Sequence, residues 1–366
     1  MPAEVKHGPL FITGYMRSGT TLLGNIVDRH PDISIFVESF FIPRYYYTQL
    51  AFWPLTREQN RVRLAQAIAT EPRSLVNALE VDARQVARVA DPSVSSVLDH
   101  VMSRWAADRG APRWGDKSPG YLTKLDALRK LFPDARYVHI YRDGRDVMLS
   151  VRSLERWTGW DTNAARIARS WERALAKARA FGRRHPDRYL EVRYENLIRD
   201  PGSVVPRVAE FAGLDFDVSM LEVTEARDLN PALSTWNGPN NAINPDNAAK
   251  WRTKAPPEDV ATFEYVAGSR LREFGYGPSD YSLDGAGKLR ARADLLTGRL
   301  SRPVNMVRRG TRFVRGVLRH VLITGSDDYR PGSRTVTGPS ASRGSRKGPG
   351  SPTTRMTSWS GRRWRP

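Results

Sequence analysis

The chain has 366 residues, with 58 Lys+Arg against 39 Asp+Glu and a formal net charge of +19. Cysteine is absent, which excludes a disulfide scaffold, a thiol nucleophile and a thiolate metal site. No run approaches the ~18 apolar residues of a membrane-spanning helix, and the start MPAEVKHGPLFITG lacks the apolar core and cleavage site of a secretory signal, so a soluble, cytoplasmic protein is expected.

Along the chain, Leu10 to Thr13 reads as a buried strand ending at Gly14. Leu22, Leu23, Ile26 and Val27 then share one helical face. Residues 34–37 form a second predicted strand, with Glu38 at its end. Val94, Val97, Leu98, Val101, Met102 and Trp105 predict a helix over 92–107. Ser118-Pro119 predicts a helix start, with Leu122, Leu125 and Leu128 on its inner face. Further strands are predicted at 137–141 and 189–192. The alternation of strand and helix argues for an α/β three-layer fold around a mostly parallel sheet.

The part beyond Tyr281 differs. Val307, Val314, Val317, Leu318, Val321 and Leu322 share a face surrounded by arginines, which predicts a basic amphipathic helix over 305–323. Such a helix suits an anionic membrane surface, so a peripheral place at the inner membrane is one expectation and docking on the body another. From Gly325 onward Gly, Ser, Pro, Thr and Arg dominate, and a disordered tail is expected. Residues 285–366 carry 19 Lys+Arg and 3 Asp+Glu, a balance of +16 that leaves +3 for the remainder. The basicity therefore belongs to the tail, and no specific nucleic-acid partner is expected.

The sharpest chemistry lies in the loop Gly14-Tyr-Met-Arg17-Ser18-Gly19-Thr20-Thr21. A glycine-bounded turn entering a helix aims backbone N–H groups and the helix dipole at one spot, which favours an anion. Ser18, Thr20 and Thr21 add hydroxyls, and Arg17 adds a fork suited to phosphate or sulfate oxygens. The spacing is that of the P-loop G-x-x-x-x-G-K-[ST], but Thr20 stands in the lysine position. A second segment, Arg136 to Ser150, has a strand ending at Arg142 and then a helix carrying Ser150. An arginine and a serine so placed can converge on one phosphate. Asp143, Arg145 and Asp146 read as structural ion pairs.

RSGTTLL with the following helix and His30-Pro31-Asp32 resembles the 5′-phosphosulfate loop of sulfotransferases, in particular the bacterial and tyrosylprotein branches. The resemblance implies 3′-phosphoadenosine 5′-phosphosulfate (PAPS) as sulfuryl donor, with no metal required, and a P-loop-like fold. It also implies that Arg17, Ser18, Gly19, Thr20 and Thr21 hold the 5′-phosphosulfate, and Arg142 and Ser150 the 3′-phosphate. Trp114-Gly-Asp-Lys117-Ser-Pro119 resembles the lysine loop that approaches the sulfuryl group. Val192 to Leu197 resembles the strand whose tyrosine, here Tyr194, lies near the nucleotide. Asn241 to Trp251, with Lys250, resembles the loop that closes over the donor. Where the tyrosylprotein enzymes have a further arginine after the serine, Leu154 stands here and Arg152 is the nearest substitute. The resemblance spans roughly Pro9 to Pro278. Residues 1–280 are thus expected to form the catalytic domain, 281–324 a basic helical extension and 325–366 the tail.

In-line sulfuryl transfer needs positioning, cationic stabilisation and a base for the acceptor proton. Glu38, in VESFFIP, resembles the catalytic glutamate of the tyrosylprotein enzymes and is expected as the base, with Lys117 and Arg17 as the other catalytic residues. Of the six histidines, His30 and His139 read as structural, and His7, His100, His185 and His320 have no motif around them. No histidine or carboxylate cluster shows metal-ligand spacing. Phe40, Phe41, Tyr45, Tyr46, Tyr47, Phe52 and Trp53 after Glu38, with Trp157 and Trp160, read as core or as an acceptor wall. A hydroxyl acceptor is expected, its class left open among carbohydrate, lipid, small metabolite and peptide tyrosine. A P-loop kinase or nucleotide hydrolase, and a non-catalytic nucleotide-fold protein, remain as alternatives.

Overall fold

Five short segments pair into one all-parallel sheet of order β2-β3-β1-β4-β5 in the computed structural model, which describes residues 8–153, 161–222 and 243–300. The strands are β1 (Leu10–Thr13), β2 (Ile33–Val37), β3 (Arg113–Lys117), β4 (Arg136–Tyr141) and β5 (Tyr189–Arg193). All four residues of β1 are buried, as the central strand of a sheet covered on both faces requires.

Alternating side chains feed two separate layers. Phe11, Phe36 and Tyr137 point to one face, where the Val94–Asp108 helix packs through Val97, Leu98, Val101 and Trp105. Leu10, Ile12, Ile33, Ile35, Val138 and Ile140 point to the other. They meet Leu22, Leu23, Ile26 and Val27 of helix α1 (Thr20–Asp28) and the Pro201–Ala212 helix. A third cluster joins Val147, Met148 and Val151 to Trp171, Leu175, Phe263 and Leu271. The expected three-layer α/β fold is thus present.

Local expectations met different fates. The helix read at 92–107 runs over Val94–Asp108, capped by the Ser93 hydroxyl, which accepts the Ser96 N–H at 3.1 Å. The helix read from Ser118 is two pieces, a 3-10 turn at Pro119–Thr123 and an α-helix at Leu125–Leu131. Lys124 leaves the helical region (φ −125°, ψ 11°), while Leu122, Leu125 and Leu128 are buried as expected. Trp114 to Lys117, read as a loop, belongs to β3. Its sequence RWGDK hides the strand because three of its five side chains are charged, two of them, Asp116 and Lys117, buried.

Helix Gly285–Leu300 lies against the body. Asn163 donates to Asp294 at 2.8 Å, Arg290 pairs with Glu258 at 2.6 Å, and Ala291 is buried. The expected helix over 305–323 and the tail over 325–366 lie outside the described residues, as do His7, Leu154, Trp157, Trp160 and His320. Among the described residues no helix is long and apolar enough to cross a membrane.

Candidate active site

Sheet register gathers the candidate residues at one edge. Val37 pairs with Lys117 across β2 and β3, so Glu38 stands beside Lys117. Tyr141 pairs with Arg193 across β4 and β5, so Arg142 and Tyr194 follow side by side. Gly14 leaves the carboxyl end of β1 between them. Open α/β sheets bind ligands at this edge, where the strand order reverses. Here the side chains surround a cavity of about 1040 Å³.

The loop after β1 is bent by Arg17 at φ 65° and Gly19 at φ 94°. Gly19 has two reasons to be glycine. Its φ is left-handed, and a Cβ there would stand 2.3 Å from the Tyr194 ring. As N-cap it leaves the first turn of α1 without a side-chain cap and without an acid, so the N–H groups there are open to an anion. Arg17, Gly19, Thr20 and Thr21 line the cavity. Ser18 does not: it is fully buried, and its hydroxyl has no hydrogen-bond partner among the described residues. Burial, and then the charge of Arg142, push the Arg17 guanidinium below its ordinary value.

Arg17 Nε donates to Ser150 Oγ at 2.9 Å, and Arg142 Nη1 donates to the Arg17 carbonyl at 3.3 Å. The two expected 3′-phosphate residues therefore meet at Arg17 and do not bond one another directly. Arg142 lies over the Tyr194 ring at 4.6 Å, and its Nη2 donates to the Asn247 carbonyl at 2.5 Å. Lys250 lines the cavity and donates to the Asn247 side chain at 2.5 Å.

Asp143, Arg145 and Asp146 all take part in ion pairs, as expected. Arg145 pairs with Asp143 at 2.7 Å and with Glu264 at 2.6 Å. Asp146 lies 3.9 Å from Arg142 and also accepts the backbone N–H groups of Ala249 at 2.8 Å and Trp251 at 2.9 Å. It thereby ties down the segment carrying Asn247 and Lys250. Burial pushes its carboxyl up to about 6, against the opposing effect of Arg142 3.9 Å away. Arg152 is no substitute for the missing arginine, because it is bound to Asp259 outside the main cavity.

Glu38 stands at φ 57° after β2, its N–H bonded to the Lys117 carbonyl. Lys117 Nζ reaches Glu38 Oε1 at 3.0 Å and Thr21 Oγ1 at 3.4 Å. With its side chain 3% exposed, Lys117 sits behind the wall that Glu38 and Thr21 present. Arg73 approaches the other carboxylate oxygen at 3.6 Å and covers Phe40. Of the aromatics after Glu38, Phe41 and Tyr45 are core, Phe40 lines the cavity, and Tyr47 and Trp53 are exposed. His30 is held by the Asp215 carbonyl at 2.7 Å and His139 by Tyr189 at 2.6 Å, both away from the cavity.

A family profile described as the sulfotransferase family matches residues 9–218, more than half of the chain and every strand above. The chain belongs to the sulfotransferase family. It is an enzyme that moves a sulfuryl group to an acceptor hydroxyl, and the kinase, hydrolase and non-catalytic readings give way. Protein-tyrosine sulfotransferase A of Caenorhabditis elegans is 29% identical over 280 residues, covering 74% of this chain and 67% of the relative. Nodulation protein NoeE of Sinorhizobium fredii is 29% identical over 315 residues, covering 76% and 69%. The sulfotransferase domain of the Synechococcus PCC 7002 olefin synthase shares the fold with a TM-score of 0.53 at 24% identity, covering 74% of this chain and 95% of that one.

The sulfotransferase site fits a doubly anionic donor. Arg142 Nε is buried without a hydrogen-bond partner among the described residues, at a cavity that also takes in an uncapped helix N-terminus. Sequence reasoning missed Asn247 and Arg73, along with Asp146 as a tie. Their roles depend on how distant segments fold together, and no local motif marks them.

Proposed function

We propose that this sulfotransferase takes its sulfuryl group from PAPS. The observation that carries the reading is the meeting of Arg17, Arg142 and Ser150 at the mouth of the loop. Gly19, Thr20 and Thr21 would hold the 5′-phosphosulfate through N–H and hydroxyl groups, with Arg17 beside them. Ser18 supports the loop from behind. Arg142 and Ser150 would hold the 3′-phosphate, Tyr194 would lie against the nucleotide, and Lys250 would close over it. The donor supplies an activated sulfur whose bond to the 5′-phosphate oxygen breaks as the acceptor oxygen attacks.

Glu38 takes the acceptor proton. Lys117, held between Glu38 and Thr21, and Arg17 stabilise the charge that gathers on the leaving side. The test is transfer of radiolabelled sulfate from PAPS together with calorimetric binding of the desulfated nucleotide, 3′-phosphoadenosine 5′-phosphate (PAP). Arg17→Ala should weaken both, and binding unchanged by that substitution would overturn the assignment. Residues 1–280 form the catalytic domain in this reading. A cytoplasmic enzyme whose basic 305–323 segment meets an anionic membrane surface is the companion proposal.

A further inference from the structure

The Ala164–Arg184 helix places two cations on the cavity wall, Arg173 and Lys177. Neither has a hydrogen bond or ion pair among the described residues, in contrast to four arginines of the same helix. Arg166 pairs with Asp161, Arg169 with Glu172, Arg179 with Glu191 and Arg184 with Asp126. At four-residue spacing the two side chains share one face of the helix, one turn apart. Their helix packs on the 119–123 turn, whose Gly120 faces the Phe40 ring, two residues from Glu38. Leu122, in the turn that directly follows Lys117, packs with Ala174 and Ala178 between and beside them.

The charge on this flank is uncompensated. The two acids of the wall among the described residues are already engaged, Glu38 by Lys117 and Arg73 and Asp146 by Arg142 and two backbone N–H groups. A neutral acceptor would leave two adjacent positive charges side by side on the wall of the space it fills. One dianion would satisfy both, the arginine as a fork and the lysine as a point charge.

We infer that the acceptor is a small hydroxylated molecule bearing a phosphate group, which Arg173 and Lys177 hold while its hydroxyl faces Glu38. The inference rests on the reading of the Arg142 corner as the donor site. It makes this flank a specificity element. A cationic wall also raises the local concentration of an anionic acceptor.

Matched acceptors test it, with radiolabelled PAPS as donor: glycerol against glycerol 3-phosphate, glucose against glucose 6-phosphate, and a tyrosine peptide rich in acidic residues. The phosphorylated member of a pair should be sulfated with kcat/KM at least about tenfold higher, the worth of one charge-assisted contact. The Arg173→Ala/Lys177→Ala double variant should bring that ratio to about one while leaving PAP affinity, read by calorimetry, within about twofold. Both side chains are exposed, so the variant should keep the fold. Equal use of the paired acceptors, preference for the acidic peptide, or no transfer to any phosphorylated probe while PAP still binds overturns the inference. PAP binding lost in the double variant also overturns it, by assigning these cations to the donor. Failure of the wild-type enzyme to bind PAP would instead strike the reading beneath it.

Discussion

Glu38 occupies the left-handed region at φ 57° although it is not glycine, a backbone cost of about 1–3 kcal/mol that persists where surrounding structure imposes it. The imposed geometry turns its carboxylate toward Lys117 and the cavity. Glu38→Gln keeps an acceptor for Lys117 but removes the proton-accepting charge. It should lower kcat by about 10²–10⁴-fold and leave PAP affinity little changed, as steady-state kinetics and calorimetry will show. Turnover within a few-fold of wild type would make Glu38 a positioner of Lys117 and not the base. At this scale the sequence was informative where chemistry is contiguous. Gly19 could be read because its turn, its helix and its neighbours follow one another. Arg173 and Lys177 could not, since only the docking of their helix beside Leu122 turns that face to the cavity.

Elements bring residues together that sequence distance separates. Asp146 follows Arg142 by one helical turn, yet its carboxylate is spent on Ala249 and Trp251, more than a hundred residues away. Arg145, beside it, lies 3.7 Å from the centre of the Trp251 ring. This pair of contacts holds the 247–251 segment in the position from which Asn247 meets Arg142 and Lys250 meets the cavity. Asp146→Asn retains one acceptor but sets an NH2 against the second N–H group. Hydrogen exchange of Ala249 and Trp251 should accelerate, and PAP affinity should fall by about tenfold. Unaltered exchange at both amides would show that the segment does not depend on this tie. The strands of β1, β4 and β5 were legible from their apolar runs. β3 was not, because a strand buried at both flanks ends here in Asp116 and Lys117.

At the level of the whole molecule, Asp116 burdens stability. Burial pushes its carboxyl up to about 6 from the ordinary 3.8, with Ser39 opposing. Between these values the folded chain binds the extra proton, so this group's contribution falls as pH rises from about 4 to about 6 and is constant above that. In urea unfolding across that window, Asp116→Asn should gain about 1–3 kcal/mol relative to wild type. A difference independent of pH would show that Asp116 titrates as it does in the unfolded chain. The basic end of the chain is a second question of this scale. Helix Gly285–Leu300 is anchored to the body through Asp294 and Arg290, so a truncation meant to remove only the basic end should stop at residue 300. Liposomes with anionic lipid should sediment the full chain and not the 1–300 form. Identical partitioning would end the membrane proposal.

The central claim is that one cavity recognises both phosphorylated ends of its donor nucleotide. Calorimetry comparing PAP with adenosine 5′-monophosphate, on wild type and Arg142→Ala, tests it most directly. Wild type should prefer PAP by about a hundredfold, the worth of two charge-assisted contacts, and Arg142→Ala should lose most of that preference while binding the monophosphate as before. Equal affinity of wild type for the two nucleotides, or an equal loss for both on removing Arg142, would contradict it.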